Sequence, residues 1–153
     1  MNKASLKLRL FHFWLRFARP MTLGVRVLIQ DDEGKILLVR HRYVSGWHLP
    51  GGCVEKGETA AQAAKKELLE ETALAALDEP ELIAIYANQK VTRRDHVVLY
   101  KISKWRRDRK FKANIEIERI DFFSRGNLPQ DTTLSTIDRL NEIFDGKPKA
   151  GIW

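Results

Sequence analysis

Cysteine is nearly absent. Cys53 is the single one in 153 residues, which excludes an internal disulfide and suits a reducing, cytoplasmic location. Long hydrophobic runs are missing as well, since no stretch approaches the ~20 apolar residues that a membrane-spanning helix needs. No internal repeat or low-complexity linker interrupts the chain, which argues against solenoid architectures. Acids are outnumbered: 20 Asp and Glu stand against 27 Lys and Arg, for a net charge of +7 and a pI near 9.7. Such an excess attracts anions, whether phosphate esters, nucleic acid or acidic lipid, without choosing among them. With 44% hydrophobic and 31% charged residues, the composition is that of a globular protein with room for a hydrophobic core.

The first residues, "MNKASLKLRLFHFWLRFARPM", are basic, and Leu6, Leu10, Phe13, Trp14 and Phe17 are spaced for one face of a helix that Pro20 would stop. Without an uninterrupted apolar core or a small-residue cleavage site, the stretch does not read as a secretory signal. The expectation is an amphipathic helix over 1–19, packed on the domain or on a second copy in a homodimer. Attachment to a membrane surface is the less favoured alternative. Residues 20–153 then form one domain.

Beyond Pro20, "TLGVRVLIQ", the turn "DDEGK" and "ILLVR" predict a β-hairpin over Thr22 to Arg40. "HRYVSGWHLPGG" reads as a loop of the kind that carries binding groups. Thr59 and Gln62 make a capping box for a helix whose small face is Ala60, Ala61, Ala64 and Leu68, fading near Ala73 to Ala76. "ELIAIYANQKV" and "HVVLYKIS" predict two paired strands, and "KWRRDRKFKAN" an exposed basic loop. "IEIERIDFFS" predicts a strand with one wet face, and "TTLSTIDRLNEIF" a final helix capped by Thr132 or Thr133. Strands and helices mixed at these lengths favour an α/β fold, with helices covering a mixed β-sheet.

One helix is out of character with the charge of the chain. Glu67, Glu70 and Glu71 stand at i, i+3 and i+4, where like charges cost about 0.2–0.5 kcal/mol per pair even when exposed. Taken alone, "KKELLEE" is an ordinary solvated Lys/Glu face. In context, a rigid helix presenting three carboxylates beside Gly51 and Gly52 meets the needs of a hard cation such as Mg²⁺. That ion takes oxygen ligands and usually shares them with substrate phosphates. Cations there would cancel the repulsion and draw in a diphosphate.

The spacing of this stretch resembles the Nudix hydrolase signature: Gly, five residues, Glu, seven residues, then Arg-Glu-aliphatic-any-Glu-Glu-any-Gly-aliphatic. The chain supplies Gly52, Glu58 and then Lys66-Glu67-Leu68-Leu69-Glu70-Glu71-Thr72-Ala73-Leu74. Every acidic position matches. Lys66 replaces the family's Arg and cannot offer its paired donors; Ala73 replaces Gly, which predicts a helix end that avoids a left-handed turn. The resemblance implies a Nudix-like α/β/α sandwich and hydrolysis of a nucleoside diphosphate derivative with Mg²⁺ or Mn²⁺. It also implies metal ligation by Glu67, Glu70, Glu71 and the Gly51 carbonyl, and bracing of Gly52 and the helix by the Glu58–Lys66 pair. Members often use a further acid from outside the box. Glu116 is the first choice for that ligand or water-activating base, joining Glu67 and Glu70 as catalytic candidates; Glu118 is the second.

Arg40 and Arg42, beside the loop leading to the box, are candidates to grip substrate phosphate. Trp47 can stack on a base or simply pack. His41, His48 and His96 lack metal-ligand spacing, and Cys53 reads as a small packed residue. The basic stretch "KWRRDRKFK" can steer a nucleotide or contact nucleic acid, with a solvated loop as the plainer reading. A catalytically weak nucleotide- or RNA-binding protein on the same fold is the alternative to the hydrolase.

Overall fold

The structure, a computed structural model, describes residues 21–90 and 92–153. The proposed N-terminal helix over 1–19 lies outside the described residues. In chain order the elements are β1 (Thr22–Ile29), β2 (Ile36–His41), β3 (Trp47–His48), α1 (Ala60–Thr72), β4 (Leu74–Ala76), β5 (Glu81–Ala87), β6 (Asp95–Ile102), β7 (Trp105–Arg107), β8 (Ile117–Phe123), a 3₁₀ turn (Arg125–Asn127) and α2 (Leu134–Phe144). The strands form a β1–β6–β5 sheet, a β3–β2–β8 sheet and the pair β4–β7. The first sheet is mixed, with β1 parallel and β5 antiparallel to β6. Among the described residues no helix is long and apolar enough to cross a membrane.

Alternation along β1 and β6 separates two hydrophobic cores. Val25, Val27, Ile29, Val98 and Ile102 pack with Leu37, Leu74 and the Ala63–Ala64–Leu68 face of α1. Leu28 and Leu99 point the other way, joining Ile36, Leu38, Trp47, Leu49, Tyr86 and Leu140 of α2. Helices therefore cover opposite faces, as the period-2 pattern of the strands requires. Thr59 accepts from the Gln62 amide while the Gln62 side chain accepts from the Thr59 amide, so the capping box starts α1.

The first hairpin is a correction. β1 and β2 share only the isolated bridge Gln30–Ile36 and a turn in which Asp31 Oδ1 accepts from the Glu33 and Lys35 amides. Beyond it the strands part, because each has a better partner: β6 for β1, β8 for β2. The other edge of β1 is closed by the glycine loop, through Val25 N–H to Gly52 O at 2.8 Å, Val27 N–H to Pro50 O at 2.9 Å and Val54 N–H to Leu23 O at 2.8 Å.

Two further expectations change. The basic stretch is not all loop: Trp105–Arg107 pairs with Leu74–Ala76, and Trp105 is anchored by donating Nε1–H to Gln30 O and stacking on Phe122. Ala73 does adopt the left-handed conformation, at φ 60° and ψ 24°, with its amide bonded to Leu69 O. The chain must reverse there so that Leu74 can enter β4, and it accepts a strain of roughly 1–2 kcal/mol that Gly would avoid.

Candidate active site

The glycine loop and α1 meet because neither glycine carries a side chain. A Cβ on Gly51, whose φ is +146°, would stand 2.0 Å from Val25 O, so only glycine lets the loop lie on β1. A Cβ on Gly52 would stand 2.6 Å from the Glu67 carboxylate, which occupies that space. The Gly51 amide donates to Glu71 Oε2 at 2.8 Å. Both acids are thus held against the loop backbone.

The three box acids do not all face one point. On a helix Glu67 and Glu71 are about 40° apart, but Glu70 and Glu71 are about 100° apart. Glu71 is buried, at 4% exposure, Glu67 is half-buried, and Glu70 is exposed. Burial raises the Glu71 pKa to about 8, opposed by the Gly51 amide and Arg26 and reinforced by Glu67 and Glu116. Glu67 is raised in the same direction, chiefly by burial. Lys66 Nζ donates to Glu58 Oε1 at 2.9 Å and lies 3.7 Å from Glu67 Oε1. The Glu55 amide and then Lys66 hold Glu58 below the usual carboxylate range.

Glu116, just before β8, comes to the same place. One donor atom each from His41, Glu71 and Glu116 lies within 4.8 Å of the other two. Glu118 instead sits 3.6 Å from Arg40. Sequence spacing gave no hint of His41, since its neighbours here come from α1 and from the approach to β8. Burial and then Arg26 push the His41 pKa down, favouring the neutral ring, and the 3.6 Å between it and Glu71 is no hydrogen bond. Its Nε2 has no hydrogen-bond partner among the described residues.

Arg26 is the other residue the sequence reading missed, although a lone Arg within "GVRVLI" is itself a signal of a charge with interior partners. It donates from Nη1 to Leu49 O at 2.9 Å and to Gly51 O at 3.0 Å. The Gly51 carbonyl, expected as a metal ligand, therefore already accepts one hydrogen bond and keeps its second lone pair.

The substrate candidates are occupied with protein partners. Arg40 Nη1 donates to Asp131 Oδ2 at 2.6 Å, and Arg42 Nε donates to Asn114 O at 2.6 Å. Trp47 is 4% exposed, its ring edge-on to Phe123 and covered by the Arg119 guanidinium at 5.9 Å. That burial favours packing over base stacking. Arg40, Trp47, Arg119, Asn127 and Gln130 line a cleft of ≈ 580 Å³. Cys53, expected to be packed, is exposed.

These residues suit a divalent cation. A buried carboxylate driven toward protonation, a half-buried one whose cation Lys66 stays 3.7 Å away, a third acid and an unpartnered imidazole nitrogen form a donor set whose clustered negative charge a cation would offset. Carboxylate oxygens suit Mg²⁺ or Mn²⁺; the imidazole extends the donor set beyond what Mg²⁺ needs.

The match to known proteins follows the same residues. A model of the NUDIX domain covers residues 20–139. The chain belongs to the Nudix family. Over 105 residues it is 30% identical to an ADP-ribose pyrophosphatase of Methanocaldococcus jannaschii, covering 67% of this chain and 62% of that protein. A candidate 8-oxo-dGTP diphosphatase of Bacillus subtilis is 47% identical over 51 residues, 33% of this chain and 34% of the relative. The chain thus aligns with less than two thirds of the length of either relative. In fold it is similar to a MutT NUDIX hydrolase from Burkholderia pseudomallei, with a TM-score of 0.69 at 22% identity, over 82% of this chain and 99% of that one.

Proposed function

We propose that this Nudix protein hydrolyses a phosphoanhydride bond in a nucleoside diphosphate derivative, using Mg²⁺ or Mn²⁺. The observation that carries this reading is the convergence of Glu71 and Glu116, from α1 and the approach to β8, beside a glycine loop that buries one of them. The activities named for the two relatives, on ADP-ribose and on 8-oxo-dGTP, both break such a bond.

Glu67 and Glu71 would hold the cation, with the free lone pair of Gly51 O and with Glu70 on the outer side. A bound cation supplies neutralisation of the diphosphate and of its leaving group. Glu116 would take the proton from the attacking water as its oxygen bonds to one phosphorus. The bridging P–O bond breaks, giving two phosphate-bearing products. Glu118, tied to Arg40, is the weaker choice for that proton. The Glu58–Lys66 pair keeps α1 and the loop in register, and Gly52 leaves room for Glu67. The Arg40-lined cleft, at ≈ 580 Å³, is within the range of small-molecule sites and would take the nucleoside or its substituent.

Incubation of the full chain with a panel of nucleotide derivatives and Mg²⁺ or Mn²⁺, read by product identity, tests this. Cleavage at the diphosphate that disappears with chelator supports the hydrolase. Salt-sensitive RNA binding without turnover of any compound would favour the binding protein instead.

A further inference from the structure

The basic stretch that follows β6 has no part in the site described so far, yet the fold carries it there. The amide of Asp108 donates to Ala73 O at 3.0 Å, fixing the stretch to the C-terminal end of α1 one turn beyond Glu70. Arg109, Lys110 and Lys112 line a cleft of ≈ 330 Å³ together with Glu70 and Asn114. Phe111 lines both this cleft and an adjoining one of ≈ 260 Å³ bounded by Leu37, Leu74 and Ile120. Phe111 is partly buried, while the lysines on either side are exposed.

The first cleft is lined by charges of both signs that do not pair across it. Among the described residues, Glu70, Lys110 and Lys112 take part in no ion pair within 4.0 Å, while Arg109 lies 3.3 Å from Asp108. Glu70 is thus shared between this cleft and the acid-bearing helix, while Glu118 lines the separate cleft of ≈ 580 Å³.

We propose that Arg109, Lys110 and Lys112 form a binding site for the phosphates of a tri- or longer polyphosphate chain that extend past the diphosphate held at the acids. The inference rests on the hydrolase reading and narrows its substrate class to nucleoside triphosphates or dinucleoside polyphosphates, over nucleotide sugars. A chain held only at its diphosphate has no group to reach these cations. One more phosphate brings charged oxygens to two ammonium groups and a guanidinium, each able to donate charge-assisted hydrogen bonds.

Two measurements on the full chain test the site. Calorimetry with Mn²⁺ and the non-hydrolysable imido analogues of tripolyphosphate and pyrophosphate reads the arm without turnover. The Lys110→Glu/Lys112→Glu double variant should weaken tripolyphosphate binding about tenfold or more, as expected for losing charged hydrogen bonds, and affect pyrophosphate far less. Lys110→Arg/Lys112→Arg should keep the binding. With Mn²⁺, the reversal should raise KM for a nucleoside triphosphate by about tenfold with kcat little changed, and leave KM for a nucleotide sugar nearly unaltered. Equal weakening of both anions, wild-type protein that prefers neither, or an unmoved triphosphate KM would overturn the proposal. If no nucleotide is cleaved by the wild type, the hydrolase reading fails by itself, and the calorimetry still decides the arm.

Discussion

The Glu67 carboxylate occupies the space that a Cβ on Gly52 would need, 2.6 Å from its ideal position. Two positions of the box, fifteen residues apart in the chain, are therefore one steric unit: the glycine is there so that the acid can be.

Gly52→Ala tests that unit. Its backbone is not in the left-handed region, so the added methyl acts first on the Glu67 carboxylate and displaces it. Displacements of this size cost on the order of 10²-fold in turnover. Steady-state kinetics should show that loss in kcat, with the thermal midpoint close to wild type. Unchanged kcat would mean that the position of Glu67 does not matter.

Glu71 links the site to stability. Its folded pKa of about 8 lies above the ordinary value of 4.5. A raised pKa contributes stability that is fully present below the ordinary value and lost as pH rises through the folded one. In chelator, thermal midpoints should therefore fall between about pH 5 and pH 8, and Glu71→Gln should flatten that fall. Mn²⁺ should stabilise the wild type more at pH 8 than at pH 5, because it competes with the proton for the same carboxylate.

Ala73 offers a gain. Ala73→Gly relieves a left-handed alanine at the end of α1 and loosens the unfolded chain slightly, for a net stabilisation of roughly 0.5–1 kcal/mol. Chemical denaturation should show a higher midpoint with an unchanged slope. A lower midpoint would mean that the cap is not strained.

How far the sequence revealed this arrangement depends on how local each signal is. α1 was legible because its cap, Thr59 with Gln62, and its acids are fixed by spacing along one helix. β5 and β6 were legible because their patterns adjoin. The partner of β1 was not: period-2 alternation says which face is buried and nothing about which strand lies alongside, so β1 and β2 looked like a hairpin when β6 and β8 are their partners. His41 and Arg26 escaped for a related reason. Each meets the box only through tertiary structure, His41 from the end of β2 and Arg26 from the middle of β1. Ala73 misled because its conformation is imposed by β4 pairing with β7, against its own preference.

The central claim is that these acids lie together to hold a divalent cation. Electron paramagnetic resonance of Mn²⁺, titrated into the wild-type chain and into Glu71→Gln at pH 8, tests it most directly. The account predicts that the wild type removes free Mn²⁺ signal saturably and that Glu71→Gln weakens this by about tenfold or more, the cost of losing one charged ligand. Equal binding by both proteins, or binding by neither, would contradict it.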